Sequence, residues 1–229
     1  MKKHTLLTTL FAAAMLGGLA PQAAMASDCR AGDKCIFVFG NSITHHLPNK
    51  NLGWYGDWGM AASDSSQDFV SQLAKMMTDK SGTPWKADTI SGVDLEQGPA
   101  TFKLSERAQQ LAQKADIVVV ELGDNFHDTP VTPAAAFADA YAKTLAALRP
   151  ANGKLMCVST WWVSAPKNKI IADACQAAGG TYVDISGLQA VAANMAGSEQ
   201  RIANKGVAAH PGDKGMRQIA ERIFKAVKP

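Results

Sequence analysis

Three side chains suited to acyl transfer stand far apart in this chain: Ser42, Asn125 and His210. A serine hydroxyl becomes a nucleophile when a neighbouring base takes its proton, and an amide N–H aimed at the carbonyl oxygen stabilises the charge that develops there. Ser42 lies in Gly40-Asn41-Ser42-Ile43-Thr44, just past the apolar run 35–39. Asn125 ends Glu121-Leu122-Gly123-Asp124-Asn125, just past a Val-rich run. His210 lies in Ala209-His210-Pro211-Gly212-Asp213, ahead of a last amphipathic segment. Each alone has an ordinary structural explanation, as a cap, a turn residue or a histidine before a helix. Their common position, after strands, is the informative part.

The elements that must bring them together follow from hydrophobic periodicity. Strand-like runs are predicted at 35–39, 86–91, 117–122, 155–159 and 181–185. Between them, helical spacing links Phe69, Leu73, Met76 and Met77, then Leu104, Ala108 and Leu111, then Phe137, Tyr141, Leu145 and Leu148. A helix near 167–178 ends at Gly179-Gly180, and a last helix carries Met216, Ile219, Ile223 and Val227 on one face, with Asp213 expected as its cap. Strand–helix alternation of this kind predicts an α/β domain, a five-stranded parallel sheet inside three α/β/α layers. In such a sheet ligands bind outside the carboxyl ends of the strands, where all three residues fall. The irregular stretch 45–68 is long for a compact domain and is expected to be functional.

Composition narrows the classes. Lys2 and Lys3, the apolar stretch Leu6 to Leu19 and Ala24-Met25-Ala26 read as a signal peptide over 1–26, cleaved after Ala26, with one domain over 27–229. The apolar stretch is short for a membrane span, so none is expected. Without the leader, 21 basic residues face 20 acidic ones, a balance that does not suggest nucleic acid as a partner. A periplasmic or secreted location suits the four cysteines as disulfides. Of the three possible connectivities, Cys29–Cys35 with Cys157–Cys175 closes the shortest loops, and free buried thiols are the alternative. His45, His46, Asp57, His127 and Asp128 carry metal-ligand chemistry. Adjacent histidines tend to point apart, however, and no His-Glu-x-x-His helix exists, so no metal or other cofactor is expected.

The three motifs in this order resemble the SGNH (GDSL-type) hydrolase superfamily over essentially the whole mature chain. The resemblance implies a flavodoxin-like α/β/α fold and a serine esterase. Its Gly-Asp-Ser block, bearing the nucleophile, reads Gly40-Asn41-Ser42 here. Its Gly-x-Asn-Asp block reads Gly123-Asp124-Asn125-Phe126, and its Asp-x-x-His block reads Val207 to His210. The resemblance thus implies Ser42 and His210 as catalytic residues. The Ser42 N–H, Asn125 and Gly92, in the loop after the second strand, would form the oxyanion hole. Val207 stands where the family has the acid that orients the histidine. Either a Ser–His dyad suffices, or a backbone carbonyl or an acid from elsewhere, such as Asp184 or Asp57, holds the imidazole.

The segment Gly53 to Ser63 also resembles a subset of these hydrolases carrying Gly-Trp-x-Gly-x-Trp-Gly-Met-Ala-Ala-Ser. Aromatic faces near polar groups suit sugar rings or apolar acyl groups, so His45, Trp54, Trp58 and Trp161 are the expected substrate-binding residues. The expected substrate is an acylated carbohydrate, foremost an O-acetyl ester, or another small ester. The departure at Val207 keeps open a non-catalytic carbohydrate-binding module, and an O-acetyltransferase would use the same acyl-enzyme.

Overall fold

The computed structural model describes residue 29, residues 32–200 and residues 202–227; the expected leader and its cleavage site lie outside them. Five parallel strands form one sheet in the order β2-β1-β3-β4-β5: β1 Lys34–Gly40, β2 Trp85–Ser91, β3 Ile117–Glu121, β4 Lys154–Val158 and β5 Thr181–Val183. Strand order reverses direction at β1/β3, so a crevice opens there. Gly40 is in register with both Ser91 and Glu121, and Glu121 with Val158, so the loops after β1, β2 and β3 leave from one level.

Both faces of the sheet are covered, which explains why its strands are apolar throughout rather than alternating. Ile36, Val38, Ile117 and Val119 pack on one face with α1 (Phe69–Ser81) and α8 (Asp213–Val227). Phe37, Phe39, Val118 and Val120 pack on the other with α3 (Glu106–Lys114), α4 (Ala134–Leu148) and α5 (Ala165–Ala177). The helical faces expected on α4 and α8 are buried; on α1, Met76 is only partly so. Six short helices complete the set among the described residues: α2 (Val93–Gln97), α6 (Ala196–Glu199), α7 (Lys205–Ala208) and 3-10 turns at Lys50–Leu52, Ser65–Gln67 and Ala192–Asn194. The cysteines pair as Cys29–Cys35 and Cys157–Cys175, the second joining β4 to α5.

The start of α8 differs from expectation. Asp213 does not cap it with its own side chain. Glu199, at the end of α6, accepts the N–H groups of Asp213 (2.6 Å) and Lys214 (2.9 Å). A carboxylate there satisfies donors that the helix leaves unpaired and meets the positive end of its dipole. Asp213 instead accepts from the backbone N–H and hydroxyl of Ser63, at 2.8 and 2.6 Å, tying the 45–68 segment to α8.

Candidate active site

Past β1 the chain turns at once: the N–H groups of Thr44 and His45 both donate to the Asn41 carbonyl. This turn presents Ser42, half-buried, at the sheet edge. Its hydroxyl lies 2.9 Å from Nε2 of His210, 168 residues away in sequence. His210 is fixed on every side. Its N–H donates to the Val207 carbonyl, its own carbonyl accepts from Ala196, and Pro211 bridges to Met195.

Nδ1 of the imidazole lies 2.8 Å from the carbonyl of Gly206. A carbonyl can only accept, so Nδ1 carries the proton and Nε2 presents its lone pair to Ser42. Of the orienting groups open from sequence, the backbone carbonyl holds the ring. Val207, at the family's acid position, packs with Trp54, Met60 and Ala61. Asp57 is bonded to His45 at 2.8 Å, and Asp184 to the Ser186 N–H at 2.8 Å. Burial pushes the His210 pKa down to about 4, with nearby His46 acting the same way and the Gly206 bond opposing. Among the described residues no counter-charge offsets that burial, unlike a histidine facing a carboxylate.

On the other side of Ser42, the loop after β3 carries Asn125, half-buried. Gly123 has φ +130°, and a Cβ there would meet Thr160 and Ile171, so only glycine lets the chain turn this tightly. Phe126, where the family has an acid, stacks on Phe137 at 4.3 Å and belongs to the core. Gly92 does not serve as expected. Its N–H donates to the Gly40 carbonyl at 2.7 Å, continuing the β1/β2 pairing, and is not free to meet an oxyanion. Its lack of a side chain is needed because Phe39 and Leu122 press against it.

Three buried carboxyl groups lie beneath this edge. Glu96, on α2, accepts from the N–H groups of Gly123 (2.6 Å) and Asn125 (3.2 Å) and from the amides of Asn125 (2.7 Å) and Asn41 (3.4 Å). Glu121 accepts from the Thr44 hydroxyl at 3.1 Å, and burial, with Asp124 and Glu96 beside it, pushes its pKa well above the usual carboxylate range. Its other oxygen meets no hydrogen-bond partner among the described residues, and burial raises the pKa of neighbouring Asp124 as well. Asp124 in turn accepts the N–H groups of Trp161 and Trp162.

Those two tryptophans separate sharply. Trp161 is fully buried, its indole donating to the Ala209 carbonyl at 3.0 Å, so it supports the His210 loop and is not a rim residue for substrate as expected. Trp162 is half-buried and meets the His210 ring edge to face at 4.9 Å. Glu96 and Gly206 are the site residues that sequence reasoning missed. Glu96 carries no motif, and Gly206 acts through its backbone.

The 45–68 segment folds on itself through bridges His46–Trp58 and Asn49–Trp54. The indole of Trp54 donates to the His46 carbonyl and that of Trp58 to the Ala62 carbonyl, while the Met60 N–H donates to the Ser42 carbonyl at 2.8 Å. Trp54, Tyr55 and Trp58 line a pocket of about 760 Å³ whose far wall includes Gln200, Asn204 and Val207. Trp54 and Trp58 are thus brought together as expected. His45 is spent on Asp57 and is not among the residues lining this pocket.

No family sequence model and no curated protein matches the chain. Solved structures do. TesA superposes with a TM-score of 0.55 at 20% identity, over 86% of this chain and 99% of its own. A protein described as a GDSL-like lipase from Bacteroides uniformis gives 0.56 at 14%, over 87% and 97%. One described as an SGNH hydrolase from Slackia heliotrinireducens gives 0.50 at 15%, over 85% and 99%. With its 2-1-3-4-5 parallel sheet flanked by helices, the chain has the fold of the SGNH (GDSL-like) hydrolases.

Proposed function

We propose that this protein is an exported serine esterase that hydrolyses O-acyl esters, foremost O-acetyl groups on carbohydrate. The observation that carries the reading is the Ser42–His210 contact at 2.9 Å with Nδ1 already committed to Gly206. Ser42 Oγ attacks the ester carbonyl as its proton passes to His210 Nε2. The Ser42 N–H and Asn125 Nδ2 donate to the resulting oxyanion. Collapse expels the alcohol, which takes the proton back from His210. Water, deprotonated by the same imidazole, then releases the acid and restores Ser42.

The sugar part of the substrate fits the pocket beside the site. Its aromatic wall turns both indole N–H groups inward to backbone carbonyls, leaving carbon surface outward, and its polar members are neutral amides and hydroxyls. That combination suits an uncharged ring better than an anion. Export rests on the leader expected at 1–26 and on two disulfides, which persist in oxidising compartments. The binding-module reading loses its main support, because the Gly206 carbonyl does the orienting that Val207 cannot.

The test is acetate release from p-nitrophenyl acetate and from acetylated xylan by the mature protein, its Ser42→Ala variant and its His210→Ala variant. Turnover lost in both variants supports the esterase. Binding of xylan without turnover, unchanged in Ser42→Ala, overturns it in favour of the binding module.

A further inference from the structure

Glu96 is 1% exposed, and every hydrogen bond it accepts comes from an N–H donor; no Lys or Arg is bonded to it among the described residues. A buried carboxylate without a cation is tolerated only when its lone pairs are filled. Here four donors fill them, and they come from both halves of the site. Asn41 directly precedes the nucleophile and accepts the Ile43 N–H with its own side-chain oxygen at 3.0 Å. Gly123 and Asn125 belong to the loop that faces it across the strand-order reversal.

An acceptor-only partner also decides which end of the Asn125 amide faces it. Because Oε2 of Glu96 lies 2.7 Å from Nδ2, one amide hydrogen is directed to Glu96 and the other is left to point elsewhere. We propose that Glu96 is the positioning residue of the oxyanion hole: its carboxylate holds the Asn125 amide nitrogen-first toward the reacting carbonyl and fixes that loop relative to the Ser42 turn. This rests on the reading of Asn125 as an oxyanion donor. Glu96 acts only through Asn125 and Asn41 and touches no reacting atom.

Glu96→Gln separates this role from packing. Glutamine has the same shape, but its Nε2 opposite Asn125 Nδ2 sets donor against donor. The Asn125 amide then turns over and presents its oxygen where the oxyanion forms. The expected result is a kcat for p-nitrophenyl acetate lowered by roughly thirtyfold to a hundredfold, approaching the loss of one oxyanion donor, with KM within about twofold. In an Asn125→Ala background the same change should cost less than about threefold, because the group it orients is gone.

Full activity in Glu96→Gln, or an equal loss in both backgrounds, overturns the proposal while leaving the role of Asn125 intact. Full activity in Asn125→Ala overturns the oxyanion reading and this proposal with it. Should Glu96→Gln not fold, the wild-type protein still decides. Its Asn125 side-chain amide, assigned in ¹⁵N spectra by its absence from Asn125→Ala, should show one exchange-protected hydrogen and one that exchanges freely. Free exchange of both overturns the proposal.

Discussion

Because a carbonyl rather than a carboxylate holds His210, the enzyme should stay active in acid. The ring is buried, only 9% exposed, and among the described residues no anion stabilises its charged form. Its pKa is therefore lowered from 6.5 to about 4. At 1.36 kcal/mol per pH unit this is about 3 kcal/mol against the imidazolium. The base must be neutral to accept the Ser42 proton, so kcat/KM should fall on the acid side with a midpoint near 4. At pH 5.5 about 97% of such a base is neutral, against about 3% for one titrating near 7, a roughly thirtyfold difference in rate. The assay is acetate release from p-nitrophenyl acetate between pH 3.5 and 8, with the His210 ring protons followed by NMR. Stability offers a second reading with a defined sign. Between about 6.5 and 4 the unfolded chain binds a proton that the folded chain refuses, so the His210 contribution declines as pH falls, by about 3 kcal/mol in all. Glu96, Glu121 and Asp124, whose pKa values are raised by burial, act in the opposite sense, so the comparison must be wild type against His210→Gln. An acid limb at 6.5 or above, matched by the ring titration, would refute the reasoning.

Other outcomes follow from the same geometry. Asn125→Ala should lower kcat by about a hundredfold while leaving the melting temperature within a few degrees, read by steady-state kinetics and calorimetry. Trp162→Ala opens one face of the imidazole to water; the acid midpoint should rise from about 4 toward 6.5, seen in the same pH profile. Replacing Cys157 and Cys175 together by serine removes an 18-residue closure worth about 3 kcal/mol, so the melting temperature should drop by roughly 6–12 °C. Trp58→Ala should raise KM for acetylated xylan severalfold and leave p-nitrophenyl acetate unaffected, because Ser42, Asn125 and His210 are not among the residues that line this pocket.

Much of this molecule is written in local sequence. The Val-rich β3 and the 3.6-period faces of α4 and α8 announce themselves, since residues buried on a strand or helix must be apolar at that period. Ser42, Asn125 and His210 are legible because chemistry restricts residue type and strand ends restrict position. What was not legible depends on partners distant in sequence. Glu96 reads as one more surface acid on a short helix; only the fold brings it under Gly123 and Asn125. Gly206 contributes a carbonyl that every residue possesses. Asp213 looked like a helix cap, yet Glu199, fourteen residues earlier, reaches the α8 terminus first. Between Trp161 and Trp162, one is core and one faces His210, a choice set by the direction of the chain after β4 and not by residue type.

The central claim is that His210 activates Ser42 as a nucleophile, and a fluorophosphonate tests it without any assumption about the natural substrate. Incubated at pH 7 and analysed by intact mass and peptide mapping, the mature protein should gain a single phosphonyl group, on Ser42. Labelling should be absent in Ser42→Ala and slowed by at least about a thousandfold in His210→Ala. A protein that folds but takes up no label, or takes it up on another serine, contradicts the claim.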